Sequence, residues 1–169
     1  SWDQIRPEVV ADFTFHTEMI PLPPRQWHAD FMRTGGAEYG LDESMMRGFV
    51  ELLVPPQTSS TALRLGDLVI LGVPGELAGS LGLELKGRVR DAMGVKCVAI
   101  GGLADEWISY ILPAREYHAG GYEASMSFYG ESLGPTMVKT IVSAFQSSAT
   151  ASQRSGWCTP VPVEVYSYW

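Results

Sequence analysis

Between residues 61 and 102 the spacing of apolar residues changes three times, and this most narrows what the chain can become. Residues 61–65 (TALRL) and 68–73 (LVILGV) are short apolar runs around Gly66–Asp67, the pattern of two strands joined by a tight hairpin. Pro74–Gly75–Glu76 then turns the chain into a predicted helix over 77–93, where Leu77, Leu81, Leu85 and Val89 recur every four residues as one apolar stripe. Gly94 is a natural stop, residues 95–100 (VKCVAI) read as a buried strand, and Gly101–Gly102 opens a loop. Strand, helix and strand in this order predict an α/β (α+β) fold, with mixed β-sheet layers covered by helices.

The flanks are less regular. In residues 9–20, Phe13, Phe15 and Thr17 alternate with Asp12, Thr14 and His16, which predicts a half-buried strand. PLPPR is a proline-stiffened connection, and Gly35–Gly36 and Gly40 break the next stretch into short pieces. A helix is expected over 42–53, ended by Pro55–Pro56, with QTSS as loop. Residues 103–130 are rich in tyrosine and glycine and lack a clear period, as functional loops often do. A final helix is expected over 133–146, with Leu133, Met137, Ile141 and Phe145 on one face. A Ser/Thr/Ala-rich linker and a strand-like end, VPVEVYSYW, complete the chain.

With 169 residues, 46% hydrophobic and 18% charged, the chain can build one core. No run of 18 apolar residues encodes a transmembrane helix, and the N-terminus has no basic, apolar leader. A net charge of -7 without a basic stripe argues against nucleic acid or an anionic membrane as the partner. Cys97 sits in an apolar run and reads as a buried thiol; with Cys158 it makes no metal motif and leaves the redox compartment open. Neither GxGxxG nor GxxxxGK[ST] occurs, so nucleotide binding has no support.

Glu76 is the first candidate for chemistry. It lies where an apolar strand ends in a Pro-Gly turn, the place where α/β sheets put ligands, although a glutamate there also suits the first turn of a helix. Tyr110, Tyr117, Tyr122 and Tyr129 are the second candidate, because four tyrosines within 20 residues are unusually dense. Tyrosines more often close a core than do chemistry. His16, His28 and His118 share no HxH or HxxxH spacing, so no complete zinc site can be read from the residues. Ser1 could serve as an N-terminal nucleophile, but WDQIRPEVV does not read as the buried strand such a residue begins. GxSxG is absent.

Taken in order, Pro74–Gly75–Glu76, Gly102–Leu103, Tyr110, Glu116–Tyr117, Tyr122–Glu123–Ala124 and Tyr129–Gly130 form a set that resembles the neutral/alkaline non-lysosomal ceramidases and their bacterial relatives. The resemblance implies a Zn2+-dependent amidohydrolase, in which one zinc held by two histidines, a glutamate and a tyrosine activates water against the amide of a ceramide-like lipid. Glu76 and Tyr110 match the glutamate and tyrosine ligands. Tyr122, twelve residues on (122 − 110 = 12), matches a second tyrosine that stabilises the oxyanion. GGYEA departs from the Gln-Arg usual before Tyr-Glu-Ala.

The family's zinc histidines, general-base histidine and substrate-binding arginine belong to the first half of its catalytic domain. Residues 1–146 are therefore expected to be the C-terminal half of that domain, an incomplete part of a larger whole, with 147–169 as linker and terminal strand. The implied partners are a lipid amide substrate and the N-terminal half of the same domain, which would cover an apolar face of this piece. The resemblance also implies an extracellular, periplasmic or membrane-associated protein. Two other readings remain: a non-catalytic binding module of the same superfamily, and an N-terminal-nucleophile hydrolase using Ser1.

Overall fold

The computed structural model describes residues 13–33, 40 and 42–154. In chain order the elements are β1 (Phe13–Pro21), α1 (Glu43–Leu53), β2 (Gln57–Leu65), β3 (Leu68–Val73), β4 (Glu76–Leu77), α2 (Gly79–Met93), β5 (Cys97–Gly102), β6 (Tyr110–Ile111), α3 (Ala114–Ala119), α4 (Tyr122–Ser125) and α5 (Leu133–Arg154). The main sheet runs β1-β2-β3-β5, and a second small sheet pairs β4 with β6. β2 and β3 form the expected hairpin around Gly66–Asp67. β3 and β5 are parallel and joined through α2, so the 61–102 pattern resolves into a hairpin fused to a βαβ unit.

Register explains how the layers form. His16, Ala62, Leu71 and Ile100 lie side by side across the four strands, and so do Phe15, Leu63, Ile70 and Ala99 one step away. The first row faces the helices: His16 meets Phe145 of α5 edge-on, and Leu71 is fully buried. Leu81, Leu85 and Val89 of α2 join Leu133, Met137, Ile141 and Phe145 of α5 in that core, as both apolar stripes predict. Among the described residues the second row has no such cover: Phe15 is 65% exposed and Ile70 36% exposed.

β1 alternates as expected. The apolar Phe15 and Met19 are nevertheless on its open side, while Thr14, His16, Glu18 and Ile20 turn toward the helices. Cys97, expected to be buried, is exposed, because its partner in register is Leu68 and both belong to the open face. This face is the kind of apolar surface that folded chains usually cover.

Several boundaries move for identifiable reasons. QTSS is strand, not loop, because its polar side chains find partners inside. The Thr58 hydroxyl donates to Glu106 Oε2 at 2.6 Å and the Ser60 hydroxyl to the Gly72 carbonyl at 2.7 Å, and both residues are fully buried. α1 begins at Asp42, whose carboxylate accepts the Met45 N–H at 2.9 Å. α2 starts at Gly79 rather than 77 and ends as expected on a left-handed Gly94. α5 continues to Arg154 through residues read as linker, since their alanines favour helix when an apolar stripe has already nucleated it. Among the described residues no helix is long and apolar enough to cross a membrane.

α5 reaches this position through Gly134. A Cβ there would lie 2.6 Å from Leu81 Cδ1 and closer still to the Leu112 carbonyl oxygen. Gly134→Ala is expected to destabilise the fold by roughly 1–3 kcal/mol through overpacking. Gly87→Ala, in α2 with nothing within 4 Å of the new methyl, should stabilise it by about 0.5–1 kcal/mol. Urea unfolding midpoints of the two variants should move in opposite directions, and a common direction would refute the packing account.

Candidate functional site

The site is built on a seam between two stretches of backbone. After β3 the chain passes through Val73–Pro74–Gly75–Glu76, and after β5 the loop 103–109 crosses it. Ala104 N–H donates to the Val73 carbonyl (3.1 Å), Leu103 N–H to Gly75 (3.2 Å), Ile108 N–H to Pro74 (2.7 Å), and Glu76 N–H to Ser109 (3.0 Å). The approach needs a glycine: a Cβ at Gly75 would be 2.5 Å from the Ser109 carbonyl oxygen. Three non-glycine residues of the loop, Leu103, Asp105 and Ser109, have left-handed φ values of 58°, 71° and 75°. Such backbone concentrates where surrounding structure enforces it, often at functional sites.

The seam ends in the parallel β4–β6 pair, with Glu76 in register with Tyr110. Glu76 is therefore a strand residue and not the opening residue of a helix, so the helix-dipole account of its position does not hold. Adjacent in-register residues of a parallel pair project to the same side, which places the carboxylate beside the phenol. Desolvation raises the Tyr110 phenol above its ordinary range, and the charge and hydrogen bond of Glu76 push it further. Tyr122 opens α4 after Gly120–Gly121 and stacks edge-to-face on Tyr110, with ring centroids 6.0 Å apart. Tyr122 is 53% exposed.

The tyrosine cluster divides in two. Tyr110 and Tyr122 join Glu76. Tyr117 and Tyr129 are buried, and burial raises both phenols. The Tyr129 hydroxyl donates to the Pro55 carbonyl at 2.7 Å, and Tyr117 packs edge-on against His28, so both serve the core. The histidines are engaged elsewhere: His16 with Glu18, His28 Nδ1 with the Asp30 N–H, and His118 with Glu131. Ser1 and Cys158 lie outside the described residues.

The sequence reading missed Trp107. Its indole N–H donates to Glu76 Oε1 at 3.4 Å, although the ring is 56% exposed. Its signal was the Trp-x-x-Tyr spacing between Gly102–Leu103 and Tyr110, a position of the family pattern to which no role was given.

Chemically, Glu76 and Tyr110 offer two oxygen donors suited to a divalent cation, and Tyr122 offers an O–H donor beside them. Among the described residues no group of three or more His, Cys, Asp and Glu could hold a metal ion. Zinc usually takes three or four protein ligands, so the pair fits one half of such a site and does not complete it.

Comparison with known proteins places this seam inside a family match. The profile described as neutral/alkaline non-lysosomal ceramidase, N-terminal, matches residues 47–138. That is 92 of 169 residues (138 − 47 + 1 = 92), more than half of the chain. Neutral ceramidase of Pseudomonas aeruginosa is 33% identical over 70 residues, which are 40% of this chain and 10% of that protein. Neutral ceramidase of Drosophila pseudoobscura pseudoobscura is 28% identical over 117 residues, 66% of this chain and 16% of its own length. Neutral ceramidase 1 of Arabidopsis thaliana is 34% identical over 85 residues, 45% and 11% respectively. The chain thus spans between a tenth and a sixth of the length of these relatives. The crystal structure of the Pseudomonas aeruginosa neutral ceramidase shares the fold, with a TM-score of 0.66 at 17% identity over 89% of this chain and 30% of that one.

The left-handed loop makes its own prediction. Leu103 is 59% exposed at φ 58°, so its side chain carries the conformational cost with little burial in return. Leu103→Gly should stabilise the fold by roughly 0.5–1 kcal/mol, the left-handed penalty less the added chain entropy of glycine. A lower unfolding midpoint in this variant would show that the loop is not strained at this residue.

Proposed function

Because the chain belongs to the neutral/alkaline non-lysosomal ceramidase family, we propose that it supplies part of the active site of a zinc-dependent hydrolase that cleaves the N-acyl amide bond of a ceramide-like lipid. The observation that carries this reading is the meeting of Glu76, Tyr110 and Tyr122 on one seam, although they come from three separate segments. Within it, Glu76 and Tyr110 are metal ligands and Tyr122 is the catalytic hydroxyl. Residues 1–146 form the C-terminal half of the catalytic domain, and the remaining ligands come from its N-terminal half. The open face of the main sheet, with Phe15, Met19 and Ile70, is where that half packs.

Bound zinc would lower the pKa of a water and polarise the amide carbonyl. This chain's own residues do the rest of the work on this side of the site. Glu76 presents a carboxylate whose backbone is fixed by its N–H bond to Ser109. Tyr110 sets a phenolic oxygen beside it. The Tyr122 hydroxyl donates to the amide oxygen as negative charge develops there, which is worth most in the transition state. The water oxygen becomes bonded to the acyl carbon, one water proton passes to the amide nitrogen as the C–N bond breaks, and the products are a fatty acid and a sphingoid amine.

The test is metal content and hydrolysis of an N-acyl sphingoid lipid by the protein with its complete catalytic domain. Glu76→Gln should lower zinc content, and unchanged zinc would remove it from the ligand set. Tyr122→Phe should keep its zinc and lose on the order of 10²-fold in kcat, the usual effect of deleting one oxyanion donor. Full activity in that variant would remove Tyr122 from the mechanism.

A further inference from the structure

We propose that Trp107 is a positioning residue for the Glu76 carboxylate, an inference that rests on Glu76 being a metal ligand. Trp107 is carried by the loop that grips the Glu76 turn, so the indole and the carboxylate are fixed to one another through backbone. Its neighbours anchor it on both sides. Ile108 is 3% exposed, and Glu106 accepts the buried Thr58 hydroxyl. The ring between them is left more than half in solvent, where an aromatic side chain contributes little to packing, yet its one polar atom points at Glu76 Oε1.

The chemistry of the indole suits this task. Its N–H is a donor only and offers no lone pair to coordinate a metal, so it orients the carboxylate without entering the ligand set. Glu76 is then held by the indole N–H at Oε1 and, through its own backbone N–H, by the Ser109 carbonyl, both contacts made by the same crossing loop. Groups that orient a metal ligand from outside the coordination shell commonly change metal affinity by 10–100-fold when removed. At 3.4 Å the bond belongs at the low end of that range.

The experiment compares Trp107→Phe, Glu76→Gln and the double variant in the protein with its complete catalytic domain. Zinc affinity is read by competition with a chromophoric chelator, and stability by urea unfolding without metal. Trp107→Phe keeps a ring and loses the N–H. It should weaken zinc about tenfold with an unchanged unfolding midpoint. In the Glu76→Gln background the same change should add nothing, because its effect passes through that carboxylate. Unchanged zinc affinity in Trp107→Phe alone overturns the positioning role and leaves the ligand assignment standing. Unchanged affinity in Glu76→Gln overturns both. A tenfold loss that persists in the double variant would show a route that bypasses Glu76, and would also overturn the inference.

Discussion

The four backbone hydrogen bonds between Val73–Glu76 and the loop 103–109 are the constraint on which the rest of the site depends. Each backbone carbonyl from Val73 to Gly75 is taken by an N–H of that loop, and the Glu76 N–H returns one bond. Backbone groups buried without partners are costly, so the seam satisfies the turn and aims it at once. The side chains are placed by this geometry. Glu76 and Tyr110 become neighbours because their strands pair, and Trp107 becomes a neighbour because its loop cannot leave. The main sheet below serves as the platform: β3 and β5, which feed the seam, are parallel neighbours in it, and α2 is the crossover between them.

Much of that platform is legible in the residues. Gly66–Asp67 marks the hairpin, the i+4 leucines mark α2, and Gly94 marks its end, because in each case one local rule decides the outcome. The seam is not legible in this way. β4 and β6 are two residues each, too short for any period to appear, and their existence depends on a loop folding across a distant turn. Glu76 therefore looks like the start of a helix until Ser109 is placed beside it. Gln57–Ser60 misleads for a related reason: four polar residues suggest loop until Thr58 and Ser60 are seen to be buried, with their hydroxyls bonded to Glu106 and Gly72.

The orientation of β1 reflects the same limit. Alternation reveals that a strand has two faces, but it does not reveal which face is covered. Here Phe15 and Met19 point away from the helices, and the whole row through Leu63, Ile70 and Ala99 goes with them. A one-layer reading would treat this as an error of patterning. Apolar residues stand on both faces of this sheet, with Phe15, Ile70 and Cys97 on the open one.

Glu76 and Tyr110 are 34 positions apart in sequence (110 − 76 = 34), with all of α2 and β5 between them. Anything gripped by both oxygens therefore cross-links the ends of a βαβ unit and closes a loop that the unfolded chain would have to close against its entropy. Binding at this pair is thus also a fastening of the fold, and its strength must depend on whether the intervening helix and strand are docked.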